Sequence, residues 1–234
     1  MPRDKVTLVD PIEAYDLWSS EYDDQPGNLM LDLDELIFSH FLDSIDIKSK
    51  IVYDIGCGTG RHWKKIMDQQ PGKLVGFDVS PGMLMKLRAK YPLASTKQIV
   101  NGCHLDAEAA SSDLLISTLT VAHIKNISEV LSEWSRLLKP SSDIIITDFH
   151  PDALSLGAQR TFRHNNKTMV INNFIHTVES IKGALFASGF RLYAEETRKV
   201  DETVKHYYSS GKAMDLYNRF YGVPVIYGIH LKRQ

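Results

Sequence analysis

The chain has 234 residues, and its 43% hydrophobic and 24% charged content is that of an ordinary globular protein. That excludes a largely disordered chain, a collagen-like chain and a disulfide scaffold, and at roughly 150 residues per domain it makes one or two domains. Lys and Arg number 27 against 29 for Asp and Glu, a net charge of −2 with no basic excess for nucleic acid.

The first ten residues carry no long apolar run and no small-residue cleavage pattern, so they do not read as a signal peptide. No stretch approaches about 18 apolar residues, the length that spans a membrane. The expectation is a soluble cytoplasmic protein without a membrane partner. Cys57 and Cys103 are the only cysteines, and free thiols suit such a compartment.

From 11 to 43 the pattern is helical. Ile12, Tyr15, Leu17, Trp18 and Tyr22 form one apolar stripe. A turn at Pro26-Gly27-Asn28 separates it from a second stripe through Leu29, Leu33, Leu36, Ile37, Phe41 and Leu42. The pattern then changes. Strands are predicted over 51–55, 74–77, 98–100, 113–117 and 144–147, with helices over 59–69, 80–91 and 128–138 between them. Apolar strands alternating with helices give a Rossmann-like, doubly wound, mostly parallel α/β sheet. Residues 151–176 break the alternation. Residues 161–171 read as a hairpin turning at Asn165-Asn166, inserted as a lid. A helix over 177–188, a strand over 190–197, a mixed segment over 204–221 and a last strand over 223–231 complete the reading.

Asp54-Ile55-Gly56-Cys57-Gly58-Thr59-Gly60 sits where the first strand of this alternation meets a helix. Ligands bind open α/β sheets at such a turn. Glycines let a ligand approach the backbone closely, and a helix N-terminus presents free N–H groups. Asp78 ends the next strand, where a carboxylate can accept both hydroxyls of a ribose. A dinucleotide enzyme would want glycine at position 61, which is Arg61.

The spacing Asp54-x-Gly56-x-Gly58-x-Gly60 resembles the first motif of the class I S-adenosylmethionine-dependent methyltransferases. Gly76-Phe77-Asp78-Val79-Ser80-Pro81-Gly82-Met83-Leu84 resembles their second motif. Residues 113–117 followed by His123, then Trp134-Ser135-Arg136-Leu137-Leu138-Lys139-Pro140, resemble the segments around the fourth strand and before the fifth. Tyr15-Asp16 and Tyr22-Asp23 resemble the N-terminal Y-D repeat of the branch acting on small molecules. The resemblance covers roughly 15–148. It implies a seven-stranded sheet with the last strand antiparallel, and S-adenosylmethionine as cofactor.

It also implies roles. Asp78 would bind the ribose, and Val79 and Met83 would flank the adenine. Asp54, Gly56, Cys57, Gly58, Thr59 and Gly60 would form the loop at the methionine moiety. Thr118 would lie near the sulfonium, with Tyr15, Trp18 and Tyr22 covering the cofactor. Where the family has Gly-Asp after the third strand, this chain has Gly102-Cys103-His104, so Cys103 and His104 take the adenine side, with Asp106 as the alternative. Lys139-Pro140-Ser141-Ser142 replaces the family's Lys-Pro-Gly-Gly turn.

His123, His150 and His164 are the candidate general bases, the first two because they follow strand ends and the third because it sits on the lid. No His-based metal spacing occurs. The organisation expected is one domain: a helical cap over 1–48, a cofactor core over 49–150, a substrate lid over 151–176 and the rest of the core over 177–234. The expected reaction is methyl transfer to a small molecule by a monomer or homodimer with no nucleic-acid partner. A related fold that binds the cofactor without transferring methyl, and a nucleotide-dependent oxidoreductase, are the rival readings.

Overall fold

The computed structural model of the protein describes residues 6–100, 102–165, 167–209 and 211–234. Strand β1 (Val6–Val9) leads into α1 (Pro11–Trp18) and α2 (Leu29–Asp43). The alternating part runs β2 (Ile51–Ile55), α3 (Trp63–Asp68), β3 (Lys73–Asp78), α4 (Pro81–Lys90), β4 (Ser95–Gln98), β5 (Ser112–Thr118), α5 (Ile127–Leu137) and β6 (Leu138–Phe149). Then come α6 (Pro151–Ser155), β7 (Thr161–His164), β8 (Lys167–Ile171), α7 (Val178–Ala187) and β9 (Phe190–Lys199). A 3-10 segment (Glu202–Tyr208), α8 (Gly211–Phe220) and β10 (Pro224–Arg233) end the chain.

Seven strands form one sheet in the order β4-β3-β2-β5-β6-β10-β9. The first five are mutually parallel, and β10 runs antiparallel between β6 and β9. The order reverses between β2 and β5, so the loop after β2 opens onto the crevice at the carboxyl ends of the strands. Apolar strands such as Leu114-Leu115-Ile116 and Ile144-Ile145-Ile146 are fully buried because both sheet faces are covered. Residues of α2, α6 and α8 pack on one face, and those of α5 and α7 on the other.

The helix α2 is part of this core rather than of a lid. Its Asn28 cap accepts the N–H groups of Met30 and Leu31, and Ile37, Phe38, Phe41 and Leu42 are almost wholly buried. It sits so close to β10 that a Cβ at Gly228 would lie 2.3 Å from Ile37 Cγ2. Arg61 explains its own presence here. Where a dinucleotide loop would carry glycine, its guanidinium pairs with the buried Asp34 and with the Leu31 carbonyl, tying the loop to α2.

Several expectations shift. The strand expected at 98–100 is β4 at Ser95–Gln98. This edge strand is polar, and the apolar pair Ile99-Val100 lies past its end. The helix expected from 59 starts at Trp63, because the Gly60 N–H closes a turn on the Cys57 carbonyl. The mixed segment resolves into the 3-10 turn and α8. The strand expected over 144–147 extends to Leu138–Phe149.

Strand β1 was not expected. It pairs in parallel with β8, and β8 pairs with β7, giving a separate three-stranded sheet. Asn166 of the expected Asn-Asn turn lies outside the described residues. The apolar side of the small sheet, Phe162, Met169 and Ile171, packs on Ala14 and Trp18 of α1.

Candidate active site

The loop after β2 is shaped by its neighbours. The N–H groups of Gly56 and Cys57 both donate to the Phe77 carbonyl, at 2.7 and 3.1 Å. Gly56 and Gly58 have φ of +72° and +53°, the left-handed region that side chains resist. A Cβ at Gly56 would lie 2.1 Å from Thr120 Oγ1, whereas one at Gly58 would face open space. Asp78 holds the loop from the side. Its Oδ2 accepts the Gly58 N–H at 2.8 Å and its Oδ1 accepts the Ser80 N–H at 2.9 Å. Burial pushes its carboxyl up to about 6, against the pull of those backbone donors. Each oxygen keeps a second lone pair for a ligand.

A cavity of about 430 Å³ opens beside this loop, within the usual range for small-molecule sites. Of the candidate residues it is lined by Tyr15, Tyr22, Gly56, Gly58, Asp78, Val79, Met83, Cys103, Thr118 and His123. Val79, Met83, Ile99 and Leu105 give it an apolar part next to Asp78. A flat purine fits that environment, and the paired lone pairs of Asp78 fit a ribose diol, so the donor set suits the nucleoside that the sequence implied.

The other candidates serve elsewhere and do not line the cavity. Asp54 is buried under the loop, where Oδ2 accepts Trp63 Nε1–H at 2.9 Å and burial pushes its carboxyl up to about 6. Cys57 packs on Gly76, where an added Cβ would be 2.7 Å from its sulfur; burial raises this thiol well above its usual range. Thr59 is buried and donates to Asp23. Gly60 lies against Leu87 and Trp63. Trp18 is buried in the cap, stacked on Phe162 with ring centroids 4.9 Å apart.

His104 turns outward, with Nδ1 3.1 Å from Glu133, and the alternative Asp106 pairs with Lys97 on the surface. His150 caps α6, its Nδ1 accepting the Asp152 N–H. His164 lies on the hairpin beside Asn165, outside the cavity, because the hairpin turns its apolar side to α1.

The Y-D pairs split their labour. Tyr15 and Tyr22 line the cavity, while the aspartates grip the two motifs. Asp16 accepts the Gly82 N–H at 2.9 Å and the Ser80 hydroxyl at the start of α4. Asp23 accepts the Thr59 hydroxyl at 2.6 Å and pairs with Lys90. Each tyrosine is thereby anchored to a cofactor-motif element through its neighbour.

His123 is fixed on both ring nitrogens. Nδ1 faces the Asn172 carbonyl at 3.2 Å, and Nε2 is 2.8 Å from Tyr15 Oη. A carbonyl only accepts, so Nδ1 carries the proton and Nε2 accepts from the tyrosine. Burial, aided by the nearby Arg160 charge, holds the imidazole down to about 4, hence neutral. Sequence reasoning missed Asp10, Pro11, Ile12 and Phe174, which complete the wall, and the buried Arg160 that packs against Tyr15 and Tyr22.

A family model for a methyltransferase domain matches residues 53–146, which hold the glycine loop, Asp78 and His123. The match supports the resemblance to the class I S-adenosylmethionine-dependent methyltransferases over the part of the chain that carries the cofactor motifs. An uncharacterized methyltransferase of Emericella nidulans is 25% identical over 228 residues, covering 80% of this chain and 78% of that protein.

Two solved structures share this fold. One is a Haloferax volcanii methyltransferase in complex with a methyltransferase activator, with a TM-score of 0.67 and 17% identity over 100% of this chain and 99% of that one. The other is the magnesium protoporphyrin IX methyltransferase of Synechocystis PCC 6803 with bound S-adenosylhomocysteine. It has a TM-score of 0.62 and 17% identity, covering 95% and 94% of the two chains. Among the described residues no helix is long and apolar enough to cross a membrane.

Proposed function

We propose that this protein transfers a methyl group from S-adenosylmethionine to a small-molecule acceptor. The carrying observation is the convergence, in one cavity, of the Asp78 carboxylate, the Gly56 and Gly58 backbone and an apolar slot. When bound, the cofactor's sulfonium would supply its methyl to an acceptor nucleophile by in-line displacement. Asp78 would hold the ribose, with Val79, Met83, Ile99 and Leu105 around the adenine. Gly58, with open space where a Cβ would stand, would let the methionine end approach the backbone. Thr118 and Thr120 line the cavity at the end of β5, the strand neighbouring that loop.

Alignment and water exclusion govern such a displacement, because charge on the sulfonium is lost as the bond forms. Tyr15 and Tyr22 would supply aromatic surface to the cation. The rest of the wall, Pro11, Ile12 and Phe174, would receive an apolar acceptor. A cavity of about 430 Å³ and a net charge of −2 favour a small acceptor over a nucleic acid. The test is thermal denaturation with S-adenosylhomocysteine and with NAD. S-adenosylhomocysteine should raise Tm and NAD should not; a shift with NAD alone would sink the reading.

A further inference from the structure

Among the described residues Arg160 is a buried cation with few hydrogen-bond partners. Its side chain is buried, with 6% exposure for the residue. It offers five N–H donors. One hydrogen bond from it is present among the described residues, Nη2 to Tyr22 Oη at 3.0 Å, and Nε has no partner. Its guanidinium carbon lies 5.8, 5.3 and 5.7 Å from the ring centroids of Tyr15, Trp18 and Tyr22. Rings of this kind offset part of the cost of burying a cation, but they take up none of its N–H groups. Asp148 is the carboxyl whose field reaches it most, yet among the described residues no hydrogen bond joins the two; the Asp148 oxygens accept from the Ala122 and Phe149 N–H groups.

The position tells what the charge is for. Tyr22 lines the cavity, and its oxygen accepts from Arg160. The phenol's own hydrogen is left to donate, and a cation behind it strengthens that donation. Arg160 acts on His123, Tyr15 and Asp148, whereas the charges felt most at Asp54 are those of His62, Asp78 and Arg61. The cation therefore stands behind the Tyr15 and Tyr22 part of the wall, reaching the cavity through Tyr22 rather than lining it itself.

Resting on the proposed methyl transfer, we infer that the acceptor carries a carboxylate, and that Arg160, with Tyr22 in front of it, selects for that group. An acid of small apolar body suits both the charge and the Ile12 and Phe174 wall. Arg160 is thus a specificity determinant rather than a catalytic residue.

The test uses the full chain, with and without saturating S-adenosylhomocysteine. Calorimetry compares phenylacetate with phenylacetamide, and hexanoate with hexanamide. Each acid should bind roughly tenfold or more tightly than its amide, since charge-assisted bonds are the stronger ones. Arg160→Gln should abolish that preference, and Arg160→Lys should keep part of it. Affinity for S-adenosylhomocysteine should stay within about twofold in both variants.

Equal binding of acid and amide by the unaltered protein overturns the inference, and needs no variant to fold. So does a preference that survives Arg160→Gln. If the variants lose S-adenosylhomocysteine but keep 5′-methylthioadenosine, which lacks the amino-acid end, the cation serves the cofactor's own carboxylate and the inference also fails. If the unaltered protein does not bind S-adenosylhomocysteine at all, the methyltransfer reading is what fails, while the acid–amide comparison without it still reads Arg160.

Discussion

Asp16 and Gly82 are 66 residues apart, and the Asp16 carboxylate accepts the Gly82 N–H at 2.9 Å. This bond places an α1 side chain on the first turn of α4, beside the helix's own cap, Ser80, whose hydroxyl accepts the Met83 N–H. A negative group there also meets the positive end of the helix dipole. The aspartate of the first Y-D pair thus joins the wall of the cavity to the motif that carries Asp78.

Asp16→Ala should therefore do two things. Loss of a capping acceptor costs about 1 kcal/mol, to be read from urea denaturation. Affinity for S-adenosylhomocysteine should fall as well, because α1 loses its hold on α4 and Tyr15 with it. Asp16→Asn, which keeps one acceptor oxygen, should recover most of both. A variant that loses stability but binds S-adenosylhomocysteine as before would show that the link does not position the wall.

The two glycines of the loop should respond differently to alanine. Both have positive φ, which costs an alanine roughly 1–2 kcal/mol. At Gly56 the new methyl would also collide with Thr120, 2.1 Å away, so Gly56→Ala should lower Tm strongly. At Gly58 the methyl meets no atom, so the stability loss should stop at the backbone cost. Gly58→Ala should instead weaken S-adenosylhomocysteine, because the methyl enters the space left for ligand. Calorimetry and thermal denaturation on the same pair separate the two effects. Equal Tm losses would contradict the geometry.

The part of this site legible in the sequence is the part made by neighbouring residues. The glycine loop and Asp78 each sit at a strand end, so strand and turn signals located them. Residues whose position depends on distant packing were not legible. Val6 of β1 pairs with Thr168 of β8, and four residues with a partner so far along the chain leave no local pattern. Arg160 is an ordinary charged residue of a connecting segment until the fold sets three aromatic rings around it. Cys103 and His104 are adjacent, yet one lines the cavity and the other meets Glu133; spacing alone did not separate them.

The raised carboxyl of Asp78 makes a pH prediction. Burial pushes it up to about 6. A ribose diol donates to the ionised form, so affinity should be full above that pH and fall as protons are added below it. The sign follows from the ligand favouring the deprotonated state. S-adenosylhomocysteine should bind roughly tenfold more weakly at pH 5 than at pH 7.5, since one pH unit below the pKa leaves about a tenth of the carboxyl ionised. Asp78→Ala should cost about 1.5–3 kcal/mol at pH 7.5 and remove the slope, the expected worth of a hydrogen bond to a charged acceptor. A slope that persists in the variant would transfer the titration to Asp54 or Asp148, which burial also pushes up, to about 6 and about 7.

His123 and His164 make the last contrast. His123→Ala removes the acceptor of the Tyr15 hydroxyl and the donor to the Asn172 carbonyl, both in a largely buried setting. A buried polar group left without its partner costs about 1–3 kcal/mol, so Tm should fall, and the freed Tyr15 should blunt ligand binding. His123→Gln can offer an amide donor and an acceptor in similar places and should recover part of the loss. His164 sits on the outer part of the hairpin with Asn165 as its neighbour. His164→Ala should leave stability within about 0.5 kcal/mol, as for surface substitutions generally, and leave S-adenosylhomocysteine affinity unchanged. If His164→Ala weakened the ligand as His123→Ala does, the hairpin would have to close over the cavity in solution, against the packing of Phe162 on Trp18.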